Sequence, residues 1–333
     1  VNAMDDSSYA FGSYVQITAI KFEYEENPEF DYLSEEVNEA SEFLESIIHI
    51  DDFTEDRIED LVKSPLLKSI QIAEFLPDDV NKKIDSILAR RPDISLRFFG
   101  FLESDGFGVG LIHQFPSLTR LEIDMNFTEW KSVPDFSGLS KLNLKAIYIS
   151  MIDYYNLDFI KDLSDGIEEI GVNAYMTSGS VLFDCSWLLK YESLKKLYLE
   201  GEVGLNLNVV EDMKNLYELS LTNVPFSYDV LASCKSLRVL TLCDCSLEGI
   251  DQISNLDQVE ELSLIAIEGL DNVSFINGMD SIKQLTLAQM DSLLELPDFY
   301  ELSKLKKITL YNIPIDIDTV PSNIRSITTI ENE

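Results

Sequence analysis

Cysteine, histidine and basic side chains are all scarce in this chain of 333 residues, and each scarcity removes a class of explanation. Four cysteines, Cys185, Cys234, Cys243 and Cys245, are too few to staple a secreted chain of this length. None stands at zinc-ligand spacing from either histidine, His49 or His113. Those two side chains are the usual candidates for a neutral-pH base, and neither sits in a nucleophile motif, so the chain reads as no enzyme. Basic residues number 25 against 60 acidic ones, a net charge of −35. Such a balance is too negative for a protein that tracks phosphate backbones, which excludes nucleic acid as an expected partner. No run of 18 apolar residues is present, so no membrane-spanning helix is expected.

The short motifs that suggest chemistry are incomplete. "SDGFGVGLIHQF" carries Gly106, Gly108 and Gly110 as G-x-G-x-G, whereas a dinucleotide site needs G-x-G-x-x-G between a strand and a helix. A flexible or bulged loop is the simpler reading. "PIDIDT" offers Asp316 and Asp318 without a glycine turn or a third ligand, so exposed strand residues are expected there rather than calcium ligands. Asn126-Phe-Thr128 and Asn272-Val-Ser274 are glycosylation sequons only in a secreted protein. Cys243-x-Cys245 is read as packing rather than as a metal or redox pair. No cofactor and no metal is expected.

What the chain does have is repetition. "ESLKKLYLEGEV", "KNLYELSLTNV", "KSLRVLTLCDC", "DQVEELSLIAI", "DSIKQLTLAQM" and "SKLKKITLYNI" each read apolar-x-x-apolar-x-apolar, from Leu194, Leu216, Leu237, Val259, Ile282 and Leu305. Successive starts lie 22, 21, 22, 23 and 23 residues apart, a period that signals stacked supersecondary units. The second half of each hexad has a strand's period of two, so Leu197 and Leu199 face inward while Lys196, Tyr198 and Glu200 face out. The fullest return segment runs Cys245, Leu247, Ile250, Ile253, Leu256, Val259. This pattern resembles the 22-residue class of leucine-rich repeats found in bacterial internalins and phosphatase-1 regulatory subunits. The resemblance implies an α/β solenoid, a leucine-rich-repeat horseshoe with a parallel concave β-sheet.

Weaker copies begin at Ile17, Leu67, Leu118, Leu144 and Ile167, with further units near Glu45, Arg91 and Ile324. About 14 irregular repeats then fill residues 17–330 as a single solenoid behind a lead-in of residues 1–16. The family usually has Asn or Cys three residues after the last apolar strand position, where it bonds turn backbone. Asn126 and Cys245 fit that slot, but Ile152, Val224, Ile267, Met290 and Ile313 do not, so other backbone must satisfy these turns. Spacing shortens from about 27 residues early to 19 at the end, and the long repeats look helical. Leu33, Val37, Ala40, Leu44 and Ile47 fall on one helical face, as do Val80, Ile84 and Ile87 after Pro77. The early repeats should return by α-helices and the later ones by turns or 3₁₀ segments.

Charge is uneven, since residues 1–62 hold 18 Asp and Glu against Lys21 and Arg57. That stretch is either a solvated helical face or an electrostatic guide for a basic partner. "VNAM" reads as a vector-derived remnant ahead of a native Met4, and a polar stretch follows rather than a secretory leader. With free thiols, this points to the cytoplasm. After "IRSITTI" only "ENE" follows, so an open edge could support a homodimer, the alternative being a monomer.

In this family ligands most often lie on the concave sheet. The outward column of the register there reads Glu122, Tyr148, Gly171, Tyr198, Ser220, Thr241, Ser263, Thr286, Thr309. The partner-binding patch is therefore expected at Met125, Tyr148, Met151 and Tyr198, rimmed by Glu122, Asp124 and Glu200, with Tyr217 at a strand entrance. Tyrosine is also a good strand former, and the rings could simply cover the sheet. The expected function is a non-catalytic protein-binding scaffold, of which an acidic inhibitor or immunity-type protein for a basic target is one version. The alternative is a secreted or surface-displayed bacterial recognition module of the adhesin or effector type.

Overall fold

A computed structural model describes residues 53–65, 67–99, 101, 107–125, 134–150, 156–174, 183–201, 203 and 205–331, with the backbone of two strands at 14–19 and 44–49. The chain divides into two compact units, Val1–Ser150 and Met151–Glu333. The first contains β1 (Tyr14–Ala19), β2 (Leu44–His49), α1 (Glu55–Lys63), β3 (Ser69–Ile72), α2 (Asp78–Arg90), β4 (Ser95–Phe99), α3 (Val109–Ile112), β5 (Arg120–Asp124) and β6 (Ala146–Ser150). Strands β3 to β6 are parallel and adjacent in chain order. The outer two are not: β1 runs antiparallel to both β3 and β2. The expected parallel repeats at Ile17 and Glu45 are thus a hairpin-like pair, and Leu44 and Ile47, expected on a helix, lie in β2. "LESIIH" is too short to nucleate a helix on its own, and its adjacent isoleucines favour a pleated surface. Residues 20–43, the rest of that expected helix, lie outside the described residues.

The helical returns follow their sequence signals. Thr54 caps α1 through its side chain, Glu55 and Asp56 occupy the first turn and Lys63 the last, each matched to the helix dipole. In α2 Pro77 stands just ahead of the first turn, and Val80, Ile84 and Ile87 are buried as the period requires. Neighbouring returns are stapled by side chains. The Arg91 guanidinium donates to the carbonyls of Val62, Ser64 and Leu67, closing the end of α1. Asp85 on α2 likewise accepts from the Ser117 amide and hydroxyl. Six phenylalanines, Phe75, Phe98, Phe101, Phe107, Phe115 and Phe136, form one edge-on network in this unit.

The second unit is a parallel ladder of β7 (Glu169–Asn173), β8 (Lys196–Glu200), β9 (Glu218–Thr222), β10 (Val239–Cys243), β11 (Glu261–Ile265), β12 (Gln284–Ala288), β13 (Lys307–Tyr311) and β14 (Thr328–Glu331). Most of its returns carry a 3₁₀ segment of five or six residues, such as Leu207–Asp212 and Ile250–Asn255. Repeats of 21 to 23 residues leave no length for a full α-helix between strand and strand. The inward rows Leu197, Leu219, Leu240, Leu262, Leu285, Ile308 and Leu199, Leu221, Leu242, Leu264, Leu287, Leu310 are at most 1% exposed. The fold is a leucine-rich-repeat solenoid.

The missing Asn ladder has a backbone replacement. Directly after strands β8 to β13, Gly201, Asn223, Asp244, Ala266, Gln289 and Asn312 take positive φ. Each donates its amide to the last strand residue of the next repeat, at 2.8–2.9 Å. The following side chain is then free to be apolar: Val224, Ile267, Met290 and Ile313 are buried there. Cys245 alone among the described residues keeps the polar slot, its Sγ lying 3.3 Å from the Cys243 carbonyl and 3.5 Å from that of Leu221.

Ala266 and exposed Gln289 hold the left-handed conformation without the local side-chain hydrogen bonding that helps Asn and Asp. Gln289→Gly should therefore stabilise the chain by about 0.5–1 kcal/mol, and Gln289→Val should destabilise it by at least ~1 kcal/mol. Urea unfolding midpoints measure both, and a glycine variant less stable than wild type would contradict the assignment.

Candidate functional site

The outward face of each strand ladder is the surface the fold leaves open, and its rows follow from the register. In the first unit the central row is Gln71, Arg97, Glu122, Tyr148. The next row carries Phe99, Asp124 and Ser150. Glu122 and Tyr148 are thus direct cross-strand neighbours. Asp124, expected as free acidic rim, is instead ion-paired with Arg97. The same guanidinium donates to Gln71 Oε1 at 3.1 Å and lies 4.5 Å over the Phe99 ring. Arg97 was missed because the repeat start near Arg91 was too loosely placed to extend the column. The signal was present in "ISLRFFG", where Arg97 stands between two inward apolar residues.

Met125 is a correction. It was expected to add exposed apolar area, but it is 0% exposed. The chain turns inward at that point, and the Met125 amide joins the turn ladder by donating to the Ser150 carbonyl at 2.8 Å. Its thioether therefore packs in the core and contributes no contact surface. Met151 lies outside the described residues.

In the second unit Tyr198 stands half-buried at the centre of β8, and its hydroxyl donates to Glu218 Oε1 at 2.9 Å. Lys196 bridges two carboxylates, Glu218 at 3.4 Å and Glu169 at 3.7 Å. Lys195 pairs with Glu168 at 2.7 Å. Glu200 accepts from the Asn173 amide at 2.7 Å, and Tyr217 is 45% exposed at the entrance of β9. Glu218 escaped the sequence reading because it lies one row from the central column. Beyond Tyr198 the row continues as Ser220, Thr241, Ser263, Thr286 and Thr309, small and neutral.

Catalytic chemistry finds no constellation among the described residues. Burial pushes the thiols up, Cys185 to about 12 and both Cys234 and Cys245 to about 11, which makes them poor nucleophiles. All four cysteines are free. No described group of three or more His, Cys, Asp or Glu is placed to hold a metal. His113 is tied to the Gly138 carbonyl at 2.9 Å. In the glycine-rich segment Gly108 has φ +151°, and a Cβ there would meet the Asp135 carbonyl oxygen at 3.2 Å, so this glycine serves close packing. Asp316 accepts from the Asp318 amide at 2.8 Å and shapes a turn, where exposed strand had been expected.

Burial raises the pKa of Glu200 above its ordinary value. A raised carboxyl pKa stabilises the fold only while the group is protonated, and that contribution is lost as pH rises through the folded value. Glu200→Gln keeps an acceptor for Asn173 and removes the charge. Its melting temperature at pH 7 should exceed that of wild type by about one degree, the gap closing near pH 4. Differential scanning calorimetry across that range measures it.

No protein-family model matches the chain, and no curated protein matches it. Among solved structures, similarity is found to two internalins of Listeria monocytogenes strain 4b F2365. Internalin C2 is 21% identical, with 61% of this chain and 83% of that one covered and a TM-score of 0.43. The internalin inlF is 11% identical, with 86% and 89% covered and a TM-score of 0.47. The assignment as a leucine-rich-repeat solenoid rests on this chain's own strand register, inward leucine rows and 21- to 23-residue repeats.

Proposed function

We propose that the chain is a non-catalytic protein-binding scaffold that carries a protein partner on the outward face of its sheet. The observation that supports this most is the networked aromatic of the second unit. Tyr198 is oriented by Glu218, which Lys196 in turn holds. A ring fixed before contact loses little freedom on binding, and this is the character of an anchor residue. Tyr217 beside it adds exposed area. Tyr148 and its cross-strand neighbour Glu122 are the corresponding features of the first unit.

The finer reading is a basic partner, in the manner of an inhibitor for a basic target. Its support is the net charge of −35, which accelerates encounter with a positive surface at low salt. The sheet face itself mixes both signs, so the field acts on approach more than on fit.

The test is affinity capture from the native lysate with wild type and with Tyr148→Ala/Tyr198→Ala, compared by quantitative mass spectrometry. A protein retained by wild type should be lost from the double variant by about tenfold or more. Its association rate should fall as salt rises from about 50 to 300 mM. Equal retention by both proteins removes the tyrosine face from the reading, and salt-independent association removes the basic partner.

A further inference from the structure

The entrances of β3, β4 and β5 enclose a cleft of about 330 Å³ on the outward face of the first unit. Ser69 and Ser95, neighbours in register, line it together with Lys68, Arg97, Arg120, Asp93 and Glu122. The two hydroxyls are unused. Ser69 Oγ is out of solvent's reach and has no hydrogen-bond partner, and the 9% exposed Ser95 side chain pairs with no described residue. Buried polar groups are normally satisfied, and here the Ser69 hydroxyl is not, while Ser95 beside it leaves a short polar side chain between longer charged ones.

The charges sort into spent and unspent. Asp93 is held by Arg91 through two hydrogen bonds, at 2.9 and 2.7 Å. Arg97 is committed to Asp124 and Gln71. Lys68 and Glu122 make no hydrogen bond or ion pair with any described residue, although the Lys68 charge acts on Asp93. One free ammonium and one free carboxylate therefore line the same small space.

We infer that this cleft binds a small zwitterion of the free amino-acid class. Its carboxylate lies against Lys68 and Arg120 with the Ser95 hydroxyl donating, and its ammonium lies against Glu122. A simple anion would meet Glu122 locally and the field of a chain at −35 globally. A simple cation would meet Lys68, Arg97 and Arg120. A dipolar ligand satisfies both free charges and, being neutral overall, is not repelled at long range. The volume lies at the low end for small-molecule sites, as a ligand of this size requires.

The experiment titrates the full chain with each standard amino acid by calorimetry and thermal shift, with acetate and methylammonium as single-charge probes at matched ionic strength. At least one amino acid should bind saturably and raise the melting temperature, while neither single-charge probe does. Lys68→Ala and Glu122→Gln should each weaken that binding by about tenfold, the scale of one lost charge-assisted contact. Both side chains reach solvent, and circular dichroism checks that the variants fold; the selectivity of wild type tests the idea without them. Saturable binding by no amino acid overturns it, as does acetate or methylammonium binding as well as the best amino acid. Neither outcome touches the protein-partner reading, which the tyrosine variant tests separately.

Discussion

One backbone hydrogen bond per repeat sets the terms for the second unit from β8 onward: the amide of a left-handed residue, donated to the last carbonyl of the neighbouring strand. Holding a non-glycine residue there costs about 1–2 kcal/mol, and leaving a buried amide and carbonyl unpaired would cost about 1–3 kcal/mol for each group. The turn bond therefore wins even at Ala266 and Gln289. Because backbone satisfies backbone, the side chain that follows has no polar duty, and Val224, Ile267, Met290 and Ile313 extend the core into the turn. Cys245 shows the side-chain solution in one repeat, its sulfur facing two carbonyls.

With the inward rows and the turns fixed, variation is confined to the outward rows, and there charge is arranged by pairing across strands. Lys196 lies between Glu169 and Glu218, Lys283 pairs with Glu260, and Arg97 neutralises Asp124. Exposed pairs of this kind contribute little stability, about 0–1 kcal/mol each. Their effect is positional: they hold long side chains and the Tyr198 hydroxyl in set places on a face whose remaining central row is serine and threonine.

The repeats were legible in the sequence wherever the period was long and regular. The inward leucines, the α2 face and the change from helical to 3₁₀ returns follow from spacing alone, because burial on one face is a pattern many residues write together. Residues 44–49 were not legible, since Leu44, Ile47 and Ile48 fit either a helix edge or a short strand, and pairing with β1 decided it. Single-residue outcomes were the least legible. Met125 reads as exposed if the strand is imagined to continue, and it is buried because the chain turns one residue earlier. Arg97 and Glu218 matter through partners 20 or more residues away in the chain, which no local pattern records.

The cleft of the first unit arises from side-chain size at equivalent register positions. At the first outward position of the strand, β7, β8 and β9 carry Glu169, Lys196 and Glu218, long side chains that reach one another and fill the space above the backbone. At the same position β3 and β4 carry Ser69 and Ser95, whose hydroxyls are too short to meet the long residues beside them. Arg120 on β5 and Lys68 before β3 then stand as walls around two small residues. A serine pair saves no apolar burial and satisfies no neighbour, so packing alone gives no reason for it. Space lined by the Lys68 ammonium and the Glu122 carboxylate is what a small polar ligand needs, and the Glu–Lys–Glu row in the second unit shows how the same scaffold fills that space with paired charge.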